Sequence, residues 1–505
     1  MSELFLFVRP PRPLWPFNSP ASAFWPPLAF ASLAAALRQE VRDLRVEILD
    51  APALEMGWRT LTTEIRGRTP AYVGIGEEAV SCVEGLRLAR LAHECGAKVI
   101  AGGCLFGHVA PQVLATGLVD VVVHGEGEVT LAELVQALRE RSTDALARVD
   151  GISFRPDEIQ GASAPSEVFT TPPRQLIADL DALPFPAYDL LPVGRYGARS
   201  LNHPRLAAIE LSRGCFGSCD FCVLWRQMGR FVEGRLAPQL RAKSPERLLE
   251  EVRLLVHRYD RRYLGWVDPC FNANPLVPGQ LAELLLRQGI RVGQSAWVRT
   301  DAIVRDAASG ALDHCVRAGL NEVYLGIERP DDASLASMHK TSAIQHAREA
   351  LGLLRERFPG VVAIGSFIYG LPGDSPHTVR ALHRLASELE LDQFFFIPLT
   401  PLPGTPAWRP ELWDPTGEAF REFNFLPAGR PHGRNAELER ALVWALLTHW
   451  PWPRIRSYLR RLLPLDGRRR RVQRRLFIRG AQVHWRRLLR GGSLDALVFP
   501  RWYES

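Results

Sequence analysis

Two separate runs of alternating strand and helix signals predict an α/β protein with two parallel-sheet domains, one over residues 1–140 and one over 201–410. A polar, serine- and proline-rich stretch over 141–200 reads as a linker between them, and an arginine-rich helical stretch over 411–505 follows the second run. The length of 505 residues suits this division, because a chain of that size exceeds one ordinary core and should hold two to four domains.

In the first run, short apolar stretches predict strands over residues 4–8, 46–49, 71–75, 98–101 and 119–123. Helices are expected over 27–38, where Pro27 suits a first turn, and over 82–94 and 130–139, where apolar residues recur at helical spacing. Repeated βα units of this kind predict a doubly wound parallel sheet, whose ligands bind outside the carboxyl ends of its strands. Glycines gather at those ends, in Gly74-Ile75-Gly76, Gly102-Gly103 and Gly125-Glu126-Gly127-Glu128, and let the backbone approach a large flat ligand. Proline punctuation over 157–186 then favours an extended crossing to the second domain.

The second run predicts strands over 207–211, 263–267, a stretch ending near Trp297, 322–326, 361–368 and 393–397, with helices over 245–258 and 279–288 among them. That makes about six βα units, with functional groups expected at the strand carboxyl ends. The loop leaving the first of these strands reads Arg213-Gly-Cys-Phe-Gly-Ser-Cys-Asp-Phe-Cys222. Thiolates at Cys215, Cys219 and Cys222, spaced x3 then x2, can ligate three irons of a [4Fe-4S] cube and leave the fourth iron without a protein ligand. The competing readings are a zinc site, which would want a fourth His or Cys at finger-like spacing, and three unrelated thiols.

This CX3CX2C loop resembles that of the radical S-adenosylmethionine (SAM) superfamily, in which the open iron chelates SAM and cleaves it to a 5′-deoxyadenosyl radical. The glycine loops of the first domain, with Pro26-Pro27-Leu28-Ala29 opening a helix, resemble the Rossmann-like cobalamin-binding domain that precedes the barrel in one large class of these enzymes. The class includes C-methyltransferases and the anaerobic magnesium-protoporphyrin monomethyl ester cyclase. The resemblance spans nearly the whole chain, and it implies a cobalamin domain, a linker, a partial (β/α)6 radical SAM barrel and a helical C-terminal region. It implies three cofactors: a [4Fe-4S] cluster, SAM and cobalamin. No DxHxxG motif is present to supply a lower axial histidine. His108 and His124 are open to two readings, approach to the corrin or ordinary loop hydrogen bonding.

Four further positions fall at barrel strand ends. Gly326 and Glu328 match positions where the family lines the SAM pocket, Arg299 can fork onto the SAM carboxylate, and Asp268 follows Trp266-Val267. The alternative reading of Asp268 and Arg299 is as solvated strand-end caps. Aromatic residues such as Trp225, Trp266, Trp297 and Phe395 suit the lining of a dry substrate chamber.

Composition sets outer bounds. With 47% hydrophobic and 23% charged residues the chain reads as a globular enzyme, and no stretch reaches the ~18 uninterrupted apolar residues that span a bilayer. The start lacks a basic n-region and breaks its apolar run at Arg9, so no secretory leader is expected. Eight cysteines do not suggest a disulfide scaffold, and a cytoplasmic protein is expected. The net charge of +7 is local: residues 451–490 hold fourteen arginines against one acid, so the rest of the chain is net negative. That argues against a nucleic-acid partner for the whole protein. Basic helices over 454–463 and 468–490 suit a cover for the barrel, a contact with an anionic substrate or a peripheral membrane contact.

The function expected is methylation of an unactivated carbon of a small-molecule substrate, with a reducing electron donor of flavodoxin or ferredoxin type. The alternatives are oxidative cyclisation or hydroxylation of a tetrapyrrole-like substrate without methyl donation, and a cobalamin-binding sensor that does not cleave SAM. Methylthiolation of tRNA is disfavoured, because no second cysteine trio precedes Cys82.

Overall fold

Side chains alternate along β1 (Glu3–Arg9): Leu4, Leu6 and Val8 enter one apolar cluster and Phe5 and Phe7 the other, so the strand is buried on both faces. The computed structural model describes residues 3–12, 25–76, 78–156, 167–198, 200 and 203–422, with 438, 441 and 502–505. The expected helices over 454–463 and 468–490 lie outside the described residues.

β1 pairs with β2 (Leu44–Asp50) on one side and β3 (Tyr72–Ile75) on the other, and β4 (Lys98–Ala101) and β5 (Val121–Val123) continue the sheet, all parallel. The order β2-β1-β3-β4-β5 reverses between β1 and β3, which creates a switch point where a ligand crevice opens at the carboxyl edge. Within the segment read as a linker, β6 (Ile152–Phe154) and β7 (Phe169–Thr170) extend this sheet in antiparallel sense. The crossing therefore begins with packed strands: Ile152 and Phe154 are buried, and the hydroxyls of Ser153 and Thr170 meet at 2.8 Å. Residues 502–505 return to the helix Trp58–Arg68, where the Trp58 N–H donates to the Tyr503 carbonyl at 3.0 Å, and the Tyr503 hydroxyl donates to the buried Glu84 of the helix Cys82–Glu94 at 2.6 Å.

The second sheet starts with β8 (Leu206–Ile209). A side excursion follows: β9 (Ser212–Cys215), then the hairpin β10 (Arg230–Val232) and β11 (Arg235–Ala237), then β12 (Gln239–Ala242), which pairs antiparallel with β9. Next come β13 (Tyr263–Trp266), β14 (Gly293–Val298), β15 (Leu320–Glu328), β16 (Val362–Tyr369) and β17 (Gln393–Pro398). The six strands β8, β13, β14, β15, β16 and β17 are parallel and adjacent in chain order, with helices between them, which is the build of an open (β/α)6 barrel.

Period-two alternation sorts the barrel walls. Leu264, Trp266, Ala296, Val298, Val323 and Leu325 are buried toward the helices. The other face carries Tyr263, Gly265, Ser295, Trp297, Glu322 and Tyr324 into the barrel. A polar network closes its floor: Tyr324 donates to Glu322 at 2.6 Å, His203 contacts Glu322 at 3.1 Å and Tyr263 donates to Asn321 at 2.9 Å. Trp266 thus belongs to the core, its indole N–H satisfied by Gln294 at 2.9 Å, and is no chamber lining.

Candidate active site

The cysteine loop is held from below by Asp268. This carboxylate accepts from the backbone N–H of Leu211 at 3.1 Å, from the Ser212 N–H at 2.5 Å and from the Ser212 hydroxyl at 2.7 Å. Burial pushes Asp268 up to about 7 against the pull of those donors. Its oxygens are engaged by the backbone and hydroxyl that lead to Cys215, which is the placement of a brace for the loop. Gly214 sits at φ +90°, and a Cβ there would overlap the Gln239 carbonyl oxygen of the paired strand. Trp225, buried in the helix Leu224–Gln227, donates its indole N–H to the Cys219 carbonyl at 2.8 Å and pins the far side of the loop.

Cys215, Cys219 and Cys222 are unpaired and half-buried. Each lies within the electrostatic reach of the others, and a Cβ on Gly217 would stand 3.6 Å from one sulfur and 3.9 Å from another. Burial pushes Cys219 up to about 11 and raises Cys222, while Lys340 opposes both shifts. Three soft donors gathered on a glycine-rich loop fit an iron–sulfur cluster.

Around this loop stand the other barrel residues. Arg299 precedes the helix Thr300–Ser309, is fixed by Asp301 at 3.0 and 2.7 Å and by the Thr341 hydroxyl at 2.9 Å, and lies over the Phe216 ring at 4.6 Å. Glu328 ends β15 at φ +68°, beside a register shift against β16. A non-glycine residue held there marks a site where the surroundings impose the geometry. Its carboxylate accepts from the Ser366 hydroxyl at 3.2 Å, lies 3.5 Å from the Lys340 ammonium, and is raised by burial. It folds over Gly326, where a Cβ would come within 2.5 Å of the Glu328 carboxylate and 2.9 Å of Lys340. Gly326 and Glu328 therefore act together. The turn after β16 is set by Asp374, which accepts from the N–H groups of Gly370 and Leu371 and pairs with buried Arg329 at 2.6 Å.

At the carboxyl edge of the first sheet, Gly76, Gly102 and Gly103 lie close together, with Gly103 at φ +81°, and a Cβ on Gly125 would meet open space. This bare backbone fits a large ligand. Two sequence candidates have other duties: a Cβ on Gly74 would strike Phe5 and Phe7 within the sheet, and one on Gly127 would strike Leu33. His124 has both ring nitrogens engaged, by the Gly107 carbonyl at 3.0 Å and Ser153 at 2.7 Å, and is a loop fastener. His108 packs against Gly404, and its buried Nε2 has no partner among the described residues.

Glu126 and Glu128, expected at the cofactor edge, are occupied by arginines. Arg213 reaches Glu126 at 2.9 Å and Glu128 at 2.6 Å, and Arg241 reaches Glu126 at 2.9 Å. Glu126 also accepts from the Ile177 N–H at 2.7 Å. These buried charges join the loop after β5 to β9 and β12. A second seam contact joins Cys104, after β4, to Gln227 at 2.5 Å, and burial pushes that thiol up to about 12. Sequence reasoning missed Lys340, Arg241 and Gln227. Their only sequence signal was position relative to the CX3CX2C loop, since each reaches the site through folding alone.

Residues 209–386 match the radical SAM superfamily. The chain is 29% identical to an uncharacterized methyltransferase of Pyrococcus horikoshii over 76% of this chain and 78% of that one. It is 25% identical to the anaerobic magnesium-protoporphyrin IX monomethyl ester cyclase of Rubrivivax gelatinosus, over 80% of this chain and 69% of the relative. Its fold is shared with the radical SAM methyltransferase TsrM of Kitasatospora setae, solved with cobalamin and a [4Fe-4S] cluster, at a TM-score of 0.63 and 18% identity over 89% of each chain. With the thiol loop at the mouth of an open (β/α)6 barrel, residues 209–386 match the radical SAM superfamily, and the chain is similar to enzymes of that superfamily.

Proposed function

We propose that this enzyme is cobalamin-dependent and methylates an unactivated carbon of a small-molecule substrate. The observation that carries the reading is the apposition of two ligand edges: the loops after β4 and β5 touch the cysteine loop and its helix through Cys104–Gln227 and through Glu126 and Glu128 on Arg213. A ligand cradled by Gly76, Gly102, Gly103 and Gly125 therefore faces one bound at the barrel mouth.

Cys215, Cys219 and Cys222 would hold the cluster, Arg299, Gly326 and Glu328 would meet SAM, and the glycine loops with His108 would receive the corrin. When bound, these groups supply reductive cleavage of SAM to a carbon radical and a methyl donor on cobalt. The chain's own contribution is placement. Asp301 and Thr341 fix the Arg299 fork, and Lys340 and Ser366 hold the Glu328 carboxylate over Gly326. Asp268 and Trp225 keep the thiol loop rigid from opposite sides. Such preorganisation is what lets two reactants meet in a near-attack geometry.

A low-potential donor of flavodoxin or ferredoxin type and a cytoplasmic setting suit this chemistry, and no described helix is long and apolar enough to cross a membrane. The basic residues over 451–490 remain candidates for an anionic-substrate or peripheral membrane contact. A second reading, cyclisation without methyl donation, is favoured by the cyclase relatives at 25% and 27% identity. Incubating the anaerobically reconstituted enzyme with methyl-labelled SAM and candidate substrates separates the two. Label in product together with 5′-deoxyadenosine supports methylation; 5′-deoxyadenosine with an unlabelled cyclised or hydroxylated product supports the second reading.

A further inference from the structure

Gly265 points into the barrel from β13, and the space its side chain would fill is taken by the indole of Trp25: a Cβ built there would overlap the six-membered ring. Trp25 comes from the other half of the protein. It precedes the helix Leu28–Glu40, and its carbonyl accepts from Arg9 at 2.7 Å, at the carboxyl end of β1. Arg9 is itself clamped by buried Asp50 at 3.0 Å, which the Tyr196 hydroxyl also bonds at 2.7 Å. The backbone that carries the wedge is thus anchored, and Trp25 as a residue remains 39% exposed.

Gly265 pairs with Ser295 on β14, and two residues further along each strand, on the same inward face, stand Val267 and Trp297. They are 39% and 40% exposed, more open than the half-buried Phe395 and Ile397 on the inward face of β17. Trp297 is stacked on Tyr324 at 4.9 Å and 27°, and Tyr324 is tied to Glu322, so this indole too is held in place. Phe216, 45% exposed on the cysteine loop, stands above the same mouth. Phe216 lies under the Arg299 guanidinium at 4.6 Å, which leaves the two indoles as the open aromatic faces of the group. Rigid aromatic faces left open beside a reaction centre recognise flat, π-rich partners by offset or edge-to-face contact, at little cost in side-chain entropy.

We infer that Trp25 and Trp297 form an aromatic substrate wall, that the substrate presents a flat aromatic face to it, and that Trp25 is a specificity-determining residue supplied by the N-terminal half. The inference rests on the proposed catalytic reading only in taking this chamber as the substrate's. The probe is 2-naphthol, compared with its saturated counterpart decahydro-2-naphthol, titrated into the reconstituted full-length enzyme with quenching of tryptophan fluorescence and equilibrium dialysis as readouts. The aromatic probe should bind about fivefold to tenfold more tightly than the saturated one. Trp25→Leu and Trp297→Leu should each remove most of that preference, while Trp25→Phe retains most of it. Gly265→Ala, which displaces the Trp25 ring, should act like Trp25→Leu. Equal binding of the two probes by the unaltered enzyme, or an unchanged preference in Trp25→Leu, would overturn the inference. Parallel measurement of 5′-deoxyadenosine keeps the two readings apart: a preserved aromatic preference without SAM cleavage defeats the catalytic reading alone, and cleavage without preference defeats only this one.

Discussion

Replacing Arg213 by Met tests the charged seam between the two halves. The guanidinium contacts Glu126 at 2.9 Å, Glu128 at 2.6 Å and Glu210 at 2.9 Å, and Arg213, Glu126 and Glu128 are all but sealed from solvent. After the change, Glu126 keeps the guanidinium of Arg241, whereas Glu128 has no other charged partner among the described residues. Removing one member of a buried ion pair costs about 3–5 kcal/mol, a large share of the roughly 5–15 kcal/mol that holds an ordinary domain folded. Glu128→Gln keeps an acceptor for Arg213 and should cost about 1–3 kcal/mol. Urea unfolding of the apoprotein under reducing conditions, followed by tryptophan fluorescence, should therefore rank Arg213→Met well below Glu128→Gln, and the double variant should show strong coupling between the two changes. Midpoints equal for the two single variants, or additive losses in the double variant, would refute the seam as an energetic unit.

The same seam should respond to acid. Burial raises Glu126, but the Arg241 and Arg213 guanidiniums together outweigh it and hold the carboxyl below its ordinary value of 4.5. Its stabilisation is full above that value and is lost as pH falls through the lowered one, so Glu126→Gln should flatten the acid limb of a stability–pH profile. Asp268 carries the opposite sign. With its pKa pushed up to about 7 from 3.8, the folded state loses stability as pH rises between those values, by at most about 4 kcal/mol. The stability advantage of the unaltered protein over Asp268→Asn should shrink over that interval in paired denaturant titrations. Gly214→Ala, strained in φ and overlapping the Gln239 carbonyl, should abolish iron uptake measured per chain. Cys215→Ser, Cys219→Ser and Cys222→Ser should each lose both iron and 5′-deoxyadenosine formation, while Cys270→Ser, buried beside Asn272, should retain iron.

What the sequence revealed follows from how local each signal is. Three thiols within eight residues declare their chemistry whatever surrounds them, and apolar runs such as 98–101 form strands because nearly every side chain in them has only the interior to go to. Glu126 and Glu128 show the converse: nothing in Gly-Glu-Gly-Glu indicates that two arginines more than eighty residues away arrive on β9 and β12 to meet them. Asp268 was found as a strand-end carboxylate, but its role depends on which backbone N–H groups point at it, which is a matter of tertiary packing. The strands β6 and β7 carry little signal of their own because each is only two or three residues long, β6 pairing on β5 and β7 on β6. Glycine was ambiguous throughout. Gly76 and Gly103 leave backbone bare for a ligand, whereas Gly74 and Gly265 make room for the protein's own rings.

The Arg213 contacts carry a lesson for recombining such enzymes. Because acids on one bank of the crevice are matched by guanidiniums on the other, a chimera that imports a foreign barrel without Arg213 and Arg241 inherits unpaired carboxylates in a dry joint. Successful swaps should exchange both banks together, or neutralise Glu126 and Glu128 in the same step.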